Sequence, residues 1–321
     1  MAKYILKRLL ISIPVFIGIT FLVFLLANLA PGSPVDLLSA ANGMTQEQLD
    51  AYRTYLGLDK PLVYRYGIWI LDFFRGDMGT STAFNQSVSA LILGRLPATL
   101  ILTLSAQLIA MVIGIPLGMV SASKPHSVWD SISSFISFIG SSIPNFFIAL
   151  VAIYVFAVNL GLLPAFGMYS GTTFTSLGDL LWHLILPSSM IALSLIGNFI
   201  KQTKGAVLEV LNEDYIKTAK AKGIGKFRVT IKHVLRNSMT PVVAEISTGI
   251  PFLIAGAVTI EKIFSWPGLG SLMITGINNR DYNLITGITA VIAIIVLVCN
   301  ILLDILYTWL DPRIDFKTMD K

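Results

Sequence analysis

Hydrophobic residues in this chain gather into long runs separated by shorter polar stretches. Six of the runs are long enough to cross a bilayer as helices. A helix rises 1.5 Å per residue and the hydrocarbon core is about 30 Å thick, so about 20 apolar residues suffice. The runs are Leu9–Leu29, Ala98–Val120, Ile132–Val158, Leu180–Ile200, Pro241–Phe264 and Leu284–Leu310. Lipid offers backbone amides no partner, and the runs lack the ten-residue alternation of a membrane barrel. The expected fold class is therefore all-α, a polytopic bundle of about six transmembrane helices. The first run follows Lys3, Lys7 and Arg8. It exceeds the apolar core of a signal peptide, and no clean small-x-small cleavage site follows it, so it reads as an uncleaved span.

Composition agrees with the pattern. Of 321 residues, 55% are hydrophobic and 13% charged, with a mean hydropathy of +0.76. A soluble domain carries about 25% charged residues. The single cysteine, Cys299, leaves no disulfide framework, and His126, His183 and His233 lie too far apart for ligand spacing, so no metal site is expected. No Gly-x-x-x-x-Gly-Lys-Ser/Thr loop occurs, because Gly223-Ile-Gly-Lys226 lacks the spacing. The chain is thus expected to bind no cofactor and to hydrolyse no nucleotide.

Lysine and arginine set the expected orientation. With the amino terminus inside, the inner segments hold 16 basic residues and the outer segments 7. Both termini are expected on the cytoplasmic side. The chain then divides into a first span (1–30), an outer region (31–97), a five-helix core (98–310) and a tail (311–321). In the outer region, Thr45 and Gln48 fit a capping box opening a helix, and Tyr64–Phe74 reads as a second, aromatic-rich helix at the interface. A docking surface and a solvated cap fit this region equally.

The inner loop between the fourth and fifth spans (201–240) is more informative. Val207, Leu208, Leu211, Tyr215 and Ala219 recur at helical spacing, and Glu213 stands four residues before Lys217. Gly223 is placed to end the helix at positive φ, and a second short helix is expected over about Lys226–Arg236. The result is a basic helix–turn–helix at the membrane face. Nucleic-acid binding is set aside, since juxtamembrane basic residues are the norm on this side. Periodicity alone leaves open a lipid-headgroup anchor and a docking element for a cytoplasmic partner.

The stretch Glu213-Asp-Tyr-Ile-Lys-Thr-Ala-Lys-Ala-Lys-Gly223, followed by His233-Val-Leu-Arg-Asn-Ser-Met-Thr-Pro241, resembles the coupling (EAA) loop of binding-protein-dependent ABC importer permeases. The match is closest to the B-type subunits of the dipeptide/oligopeptide family. Ala30-Pro-Gly-Ser-Pro34, Gly76-Asp-Met-Gly-Thr-Ser81, Ser142-Ile-Pro-Asn-Phe146, Glu261-Lys-Ile-Phe-Ser-Trp-Pro-Gly-Leu-Gly270 and Asp311-Pro-Arg313 extend it along the chain. Lys217-Thr218-Ala219 stands where the general pattern has Glu-Ala-Ala, and Pro241 comes later than its proline. Both departures resemble the peptide branch.

The resemblance implies a type I importer permease fold and a set of partners. These are a second homologous permease, two cytoplasmic ABC ATPases that bind the ATP and Mg, an extracytoplasmic substrate-binding protein and a peptide substrate. It also implies residence in a bacterial or archaeal inner membrane. It further implies that Glu213, Asp214, Tyr215, Thr218, Ala219, Lys222 and Gly223 form the ATPase-coupling element, with Tyr215 and Ala219 buried in the ATPase cleft.

Within the spans, small residues and prolines at Gly140–Asn145 and Gly249–Pro251 are expected to break the third and fifth helices. Ser142, Pro144, Asn145, Glu245, Gly249 and Pro251 are the candidates for a translocation path or gate. Glu245 and Asp304 fit a gating contact less well than hydrogen bonding near the headgroups, and Gln107 and Asn198 fit helix–helix bonding. Glu261 and Lys262 are expected near water. Nickel chelates or glutathione are alternative cargoes for the same machinery. An ion-coupled secondary transporter is the rival class, although it leaves the inner helix–turn–helix unexplained.

Overall fold

A computed structural model describes residues 2–36 and 45–310. Among these, every regular element is helical, apart from an isolated antiparallel bridge between Thr80 and Ser87. The elements are α1 (Ala2–Leu29), α2 (Gln46–Tyr55), α3 (Leu62–Phe74), α4 (Val88–Ser123), α5 (Val128–Ser142), α6 (Asn145–Ala152) and α7 (Leu177–Leu211). They continue with α8 (Asp214–Ala221), α9 (Lys226–Val229), α10 (Arg236–Ile263), α11 (Leu269–Asn278) and α12 (Tyr282–Leu310). The expected tail (311–321), with its Asp311-Pro-Arg313, lies outside the described residues.

Four helices are singly long and apolar enough to span a membrane: those over Leu6–Asp36, Val88–Ser123, Leu177–Leu211 and Tyr282–Ile305. The expected third span is not one straight helix. Its halves, Val128–Ser142 and Asn145–Asn159, meet at 106°. Proline disfavours the α conformation of the residue before it, and Ile143 accordingly sits at φ −99°, ψ 129° ahead of Pro144. Counted as one, the pair makes a fifth span. The expected fifth run is helical over the 28 residues of α10, but the side chains at its middle lie outside the described ones.

Two further expectations fail on helix ends. α4 begins ten residues before Ala98 and runs through Pro97, and α10 passes unbroken through Gly249 and Pro251. A proline removes one backbone bond from a helix but ends it only if neighbours do not compensate, which membrane helices commonly do.

The chain forms two compact units. The first comprises described residues of 1–98 and 267–298. Its α2 opens with the expected capping box, Thr45 and Gln48 satisfying each other's backbone N–H. Its α3 packs on α1 through Tyr66, Trp69 and Phe73, stacked at centroid spacings of 6.2 and 5.4 Å and closed by Phe16 and Phe24. Tyr66 also donates to the carbonyl of Ile17 at 3.0 Å. A second cluster gathers Val88, Ile92, Leu269, Leu272, Leu284 and Ile288. Beside it, the fully buried carboxylate of Asp281 accepts from Ser81 Oγ (2.5 Å), Ala83 N (3.1 Å) and Leu284 N (3.1 Å).

The second unit comprises described residues of 99–266 and 299–310 and is centred on α7, the most buried of the spans. α5 meets α7 at two glycines. A Cβ on Gly140 would overlap the carbonyl of Leu193, and one on Gly197 would stand 3.1 Å from the carbonyl of Ser137. Backbones this close are how membrane helices gain contact without a hydrophobic drive between them. Glu261 belongs to this core rather than to water: it is fully buried and accepts from Thr99 Oγ1 at 2.6 Å.

Candidate functional site

The helix–turn–helix begins where α7 ends. Asn212 holds the carboxyl-terminal cap, and the carbonyl of Glu213 receives the first N–H groups of α8, from Ile216 (3.1 Å) and Lys217 (3.3 Å). Gly223 then turns the chain at φ +73°, with open space around its Cα. A small apolar core holds the element in shape: Val207 and Val210 from α7, Ile216 and Ala219 from α8, Val229 from α9, Val234 after it and Ala122 from α4. The second arm is not a separate short helix. α9 leads through a π-helical stretch, Thr230–Leu235, straight into α10.

The interruption at Asn212 and Glu213 shifts the helical phase, so the expected apolar face does not run across it. Ile216, at 0% exposure, and Ala219, at 7%, point into the chain's own core. Tyr215 is 43% exposed, and its hydroxyl accepts from Asn237 Nδ2 at 3.0 Å. Tyr215 and Ala219 therefore do not share one outward face, and only Tyr215 is presented outward. Lys217 pairs with Asp214 at 2.7 Å rather than with Glu213, because α8 starts after Glu213 and that residue serves as its cap. Glu213, Asp214, Thr218, Lys222 and Gly223 are all exposed beside Tyr215. Arg228, Lys232 and Arg236 extend a basic surface on the second arm.

At the bend, Ser142 and Pro144 are exposed, and Asn145 is half-buried, its amide oxygen accepting from Ser194 Oγ of α7. Ser141 Oγ donates back to the carbonyl of Ser137 at 2.8 Å, so the last turn of α5 is held where it stops. Glu245 is half-buried on α10, away from the bend in sequence. Gly249 and Pro251 lie in the helical backbone of α10, and their surroundings fall outside the described side chains. The six gate candidates are thus joined only in part: Ser142, Pro144 and Asn145 form one local feature.

Comparison with known proteins shows the family. The family described as "Binding-protein-dependent transport system inner membrane component" matches residues 114–316, and its amino-terminal counterpart matches residues 1–103. The chain belongs to this family. It is 42% identical over 316 residues to a putative peptide permease protein of Brucella suis biovar 1 (strain 1330), covering 98% of this chain and 99% of that protein. It is 41% identical to the oligopeptide transport system permease protein AppB of Bacillus subtilis (strain 168), over 98% and 100% of the two chains. It is 35% identical to the dipeptide transport system permease protein DppB of Escherichia coli (strain K12), over 99% and 100%. A chain from the inward-facing MetNI methionine ABC transporter shares its fold with a TM-score of 0.56 at 15% identity, covering 69% of this chain and 96% of that one. The protein is therefore a multi-pass inner membrane component, and its relatives are transport permeases, not enzymes.

One feature of this membrane component escaped the sequence. Asp130, near the start of α5, accepts from Ser121 Oγ of α4 (2.6 Å), Lys204 Nζ of α7 (2.5 Å) and His126 N (3.0 Å). His126 makes this possible by adopting φ +60°. A single carboxylate thus ties three helix segments together, with Lys204 about two helical turns before the helix–turn–helix. The 74 residues between Asp130 and Lys204 hide the pair from any local pattern. A charged pair at a span's end is nevertheless a recognisable class of feature.

Proposed function

We propose that this chain is one of two permease subunits of an ATP-driven importer of di- or oligopeptides. The observation that carries the reading is the match along essentially the whole chain to relatives named as peptide, oligopeptide and dipeptide permeases. The exposed helix–turn–helix adds a surface of the right kind. In this reading both termini are cytoplasmic, as the lysine and arginine count favours. Two partner ATPases bind ATP and Mg, and one of them grips the outward face of α8, where Tyr215, Asp214, Thr218 and Lys222 stand. A second homologous permease completes the path, and a substrate-binding protein delivers the peptide from outside.

The mechanical consequence follows from the local build. Force applied to α8 passes through the small core of Ile216 and Ala219 into α7 and into the continuous helix that becomes α10. A rigid element moves whole spans, whereas a floppy loop would dissipate the stroke.

The test is uptake of a labelled peptide mixture by liposomes holding this chain with its partner permease, ATPases and binding protein. A Gly223→Trp complex serves as the control. The space around Gly223 is open within the chain, so tryptophan fits there, at a backbone cost of about 1–2 kcal/mol for positive φ. ATP-dependent uptake that disappears in the assembled control supports the reading. Uptake that ignores ATP and follows an ion gradient overturns it. ATPase activity stimulated by a loaded binding protein without peptide uptake keeps the machine and changes the cargo to a chelate or glutathione.

A further inference from the structure

The charges of the helix–turn–helix are unevenly spread. Glu209, Glu213 and Asp214 lie where α7 gives way to α8, and the next acidic residue along the chain is Glu245. The thirty positions between Asp214 and Glu245 carry seven Lys or Arg and no carboxylate. Lys217, on α8, is answered by Asp214 at 2.7 Å. Among the described residues, Arg228, Lys232 and Arg236 of the second arm have no carboxylate within ion-pair distance.

These three cations share one side of the arm. Val229, at 3% exposure, and Val234, at 1%, turn into the core they form with Ile216 and Ala219, while Arg228, Lys232 and Arg236 are exposed. Their spacing of four lies between the 3.6 residues of an α-turn and the wider i→i+5 turn of the π-helical Thr230–Leu235, so the drift from one to the next is small. Like charges four apart on a helix repel one another, and an anionic occupant removes that cost.

Position says which anion. The arm runs straight into α10, whose apolar run begins at Pro241 and marks the edge of the hydrocarbon. At 1.5 Å per residue, Arg236, Lys232 and Arg228 stand about 8, 14 and 20 Å along the helix from that edge. Long basic side chains carry their charge toward the headgroups, and the potential of an acidic leaflet fades over a Debye length of about 8 Å. Arg236 is thus within reach, Lys232 at the margin and Arg228 in the outer field. The same surface lacks what a protein partner uses. Beyond Tyr215, the next exposed large apolar side chain among those described is Ile277. Protein interfaces centre on aromatic or apolar anchors and are poor in lysine. α8 has such an anchor in the exposed ring of Tyr215, whereas the second arm offers charge alone.

We propose that the second arm of the helix–turn–helix binds acidic phospholipid headgroups, through Arg236 and Lys232 with Arg228 adding to the field, and leaves α8 for the protein partner. The proposal does not depend on the cargo or on what docks at α8.

The test uses the full chain in nanodiscs of phosphatidylcholine with about 30% phosphatidylglycerol. Native mass spectrometry then reads the lipids that stay on the released protein. The retained lipid is expected to be enriched in phosphatidylglycerol over the bilayer. Arg236→Gln is expected to lower the enrichment most, by up to about fivefold for a cation at the surface, Lys232→Gln less and Arg228→Gln least. Lys217→Gln, on α8 and paired within the chain, is expected to leave it unchanged. Salt at about 1 M shortens the Debye length to about 3 Å and is expected to abolish the enrichment. The salt arm uses the unaltered protein, so the outcome does not depend on a variant folding. Retained lipid at the bilayer's own composition overturns the proposal, as does enrichment indifferent to salt or to the triple substitution Arg228→Gln, Lys232→Gln, Arg236→Gln. Loss of the ATPases from the assembled complex in the triple variant, with the enrichment intact, overturns it in favour of a protein on this face.

Discussion

Asp281 makes the sharpest prediction about what holds the first unit together. Its carboxylate caps α12 through Leu284 N and fastens the 81–83 turn through Ser81 Oγ and Ala83 N, all from a fully buried position. Asp281→Ala removes an N-cap, about 1 kcal/mol. It also removes two bonds to a charged acceptor, about 1.5–3 kcal/mol each, and leaves two buried donors unmatched. Partial re-pairing with water reduces the sum, so the expected local cost is about 3–5 kcal/mol. Asp281→Asn keeps one acceptor for Leu284 N but turns an N–H toward Ser81 and Ala83, for about 2–3 kcal/mol. The assay is amide hydrogen exchange of the detergent-purified chain. Since 1.4 kcal/mol is tenfold, Ala83 and Leu284 are expected to exchange more than about a hundredfold faster in Asp281→Ala, with a smaller gain in Asp281→Asn. Protection at both amides within about threefold of the parent in Asp281→Ala would refute the reasoning, because it would mean that the carboxylate fastens neither element.

If α8 is the coupling element proposed above, its two faces are expected to separate stability from coupling. Ile216→Ala removes a fully buried side chain and is expected to cost about 2–4 kcal/mol, read as a lower thermal midpoint of the purified chain. Tyr215→Ala is expected to change that midpoint little, within about 0.5 kcal/mol for an exposed site, while ATP-dependent uptake falls several-fold. At Gly223, asparagine tolerates positive φ and valine does not, so Gly223→Asn is expected to keep more stimulated ATPase activity than Gly223→Val. Gly140→Val forces a side chain into the backbone of α7 and is expected to lower the midpoint more than Ser142→Val, which lies exposed at the bend. Lys204→Met leaves Asp130 without its cation and is expected to speed hydrogen exchange across residues 121–130, where unchanged exchange would show that the pair fastens nothing.

How much the sequence disclosed depends on which force decided each feature. Hydrophobic run length locates the spans because bilayer thickness is an external ruler, and the capping box at Thr45 and the turn at Gly223 are legible because their chemistry is local. Prolines are where that legibility ends. Pro97, Pro144, Pro187 and Pro251 look alike along the chain, yet only Pro144 sits at a sharp bend. Pro187 is buried within α7, next to Ser188, whose hydroxyl donates to the carbonyl of Leu184 at 2.6 Å within the same helix. Pro144 is exposed, and its neighbour Asn145 is engaged with Ser194 across the helix interface, which rewards the broken path. The choice between kink and continuity is made by neighbours far away in sequence.

The same reasoning explains the inner helix–turn–helix. Its existence and its glycine turn are local and were legible. The interruption at Asn212 and Glu213 resets the helical phase between α7 and α8, while within α8 itself Tyr215 and Ala219 lie on either side of the edge of the face that Ile216 buries. Periodicity across positions 207–219 assumes one uninterrupted helix, so it groups side chains that a break of that length rotates apart. Ile216, which the period passed over, is the residue that the new phase buries completely. A helix pattern read across a Glu-Asp pair, where acidic residues favour a fresh amino terminus, is better treated as two patterns, and doing so here puts Ile216 and Ala219 on the core side directly.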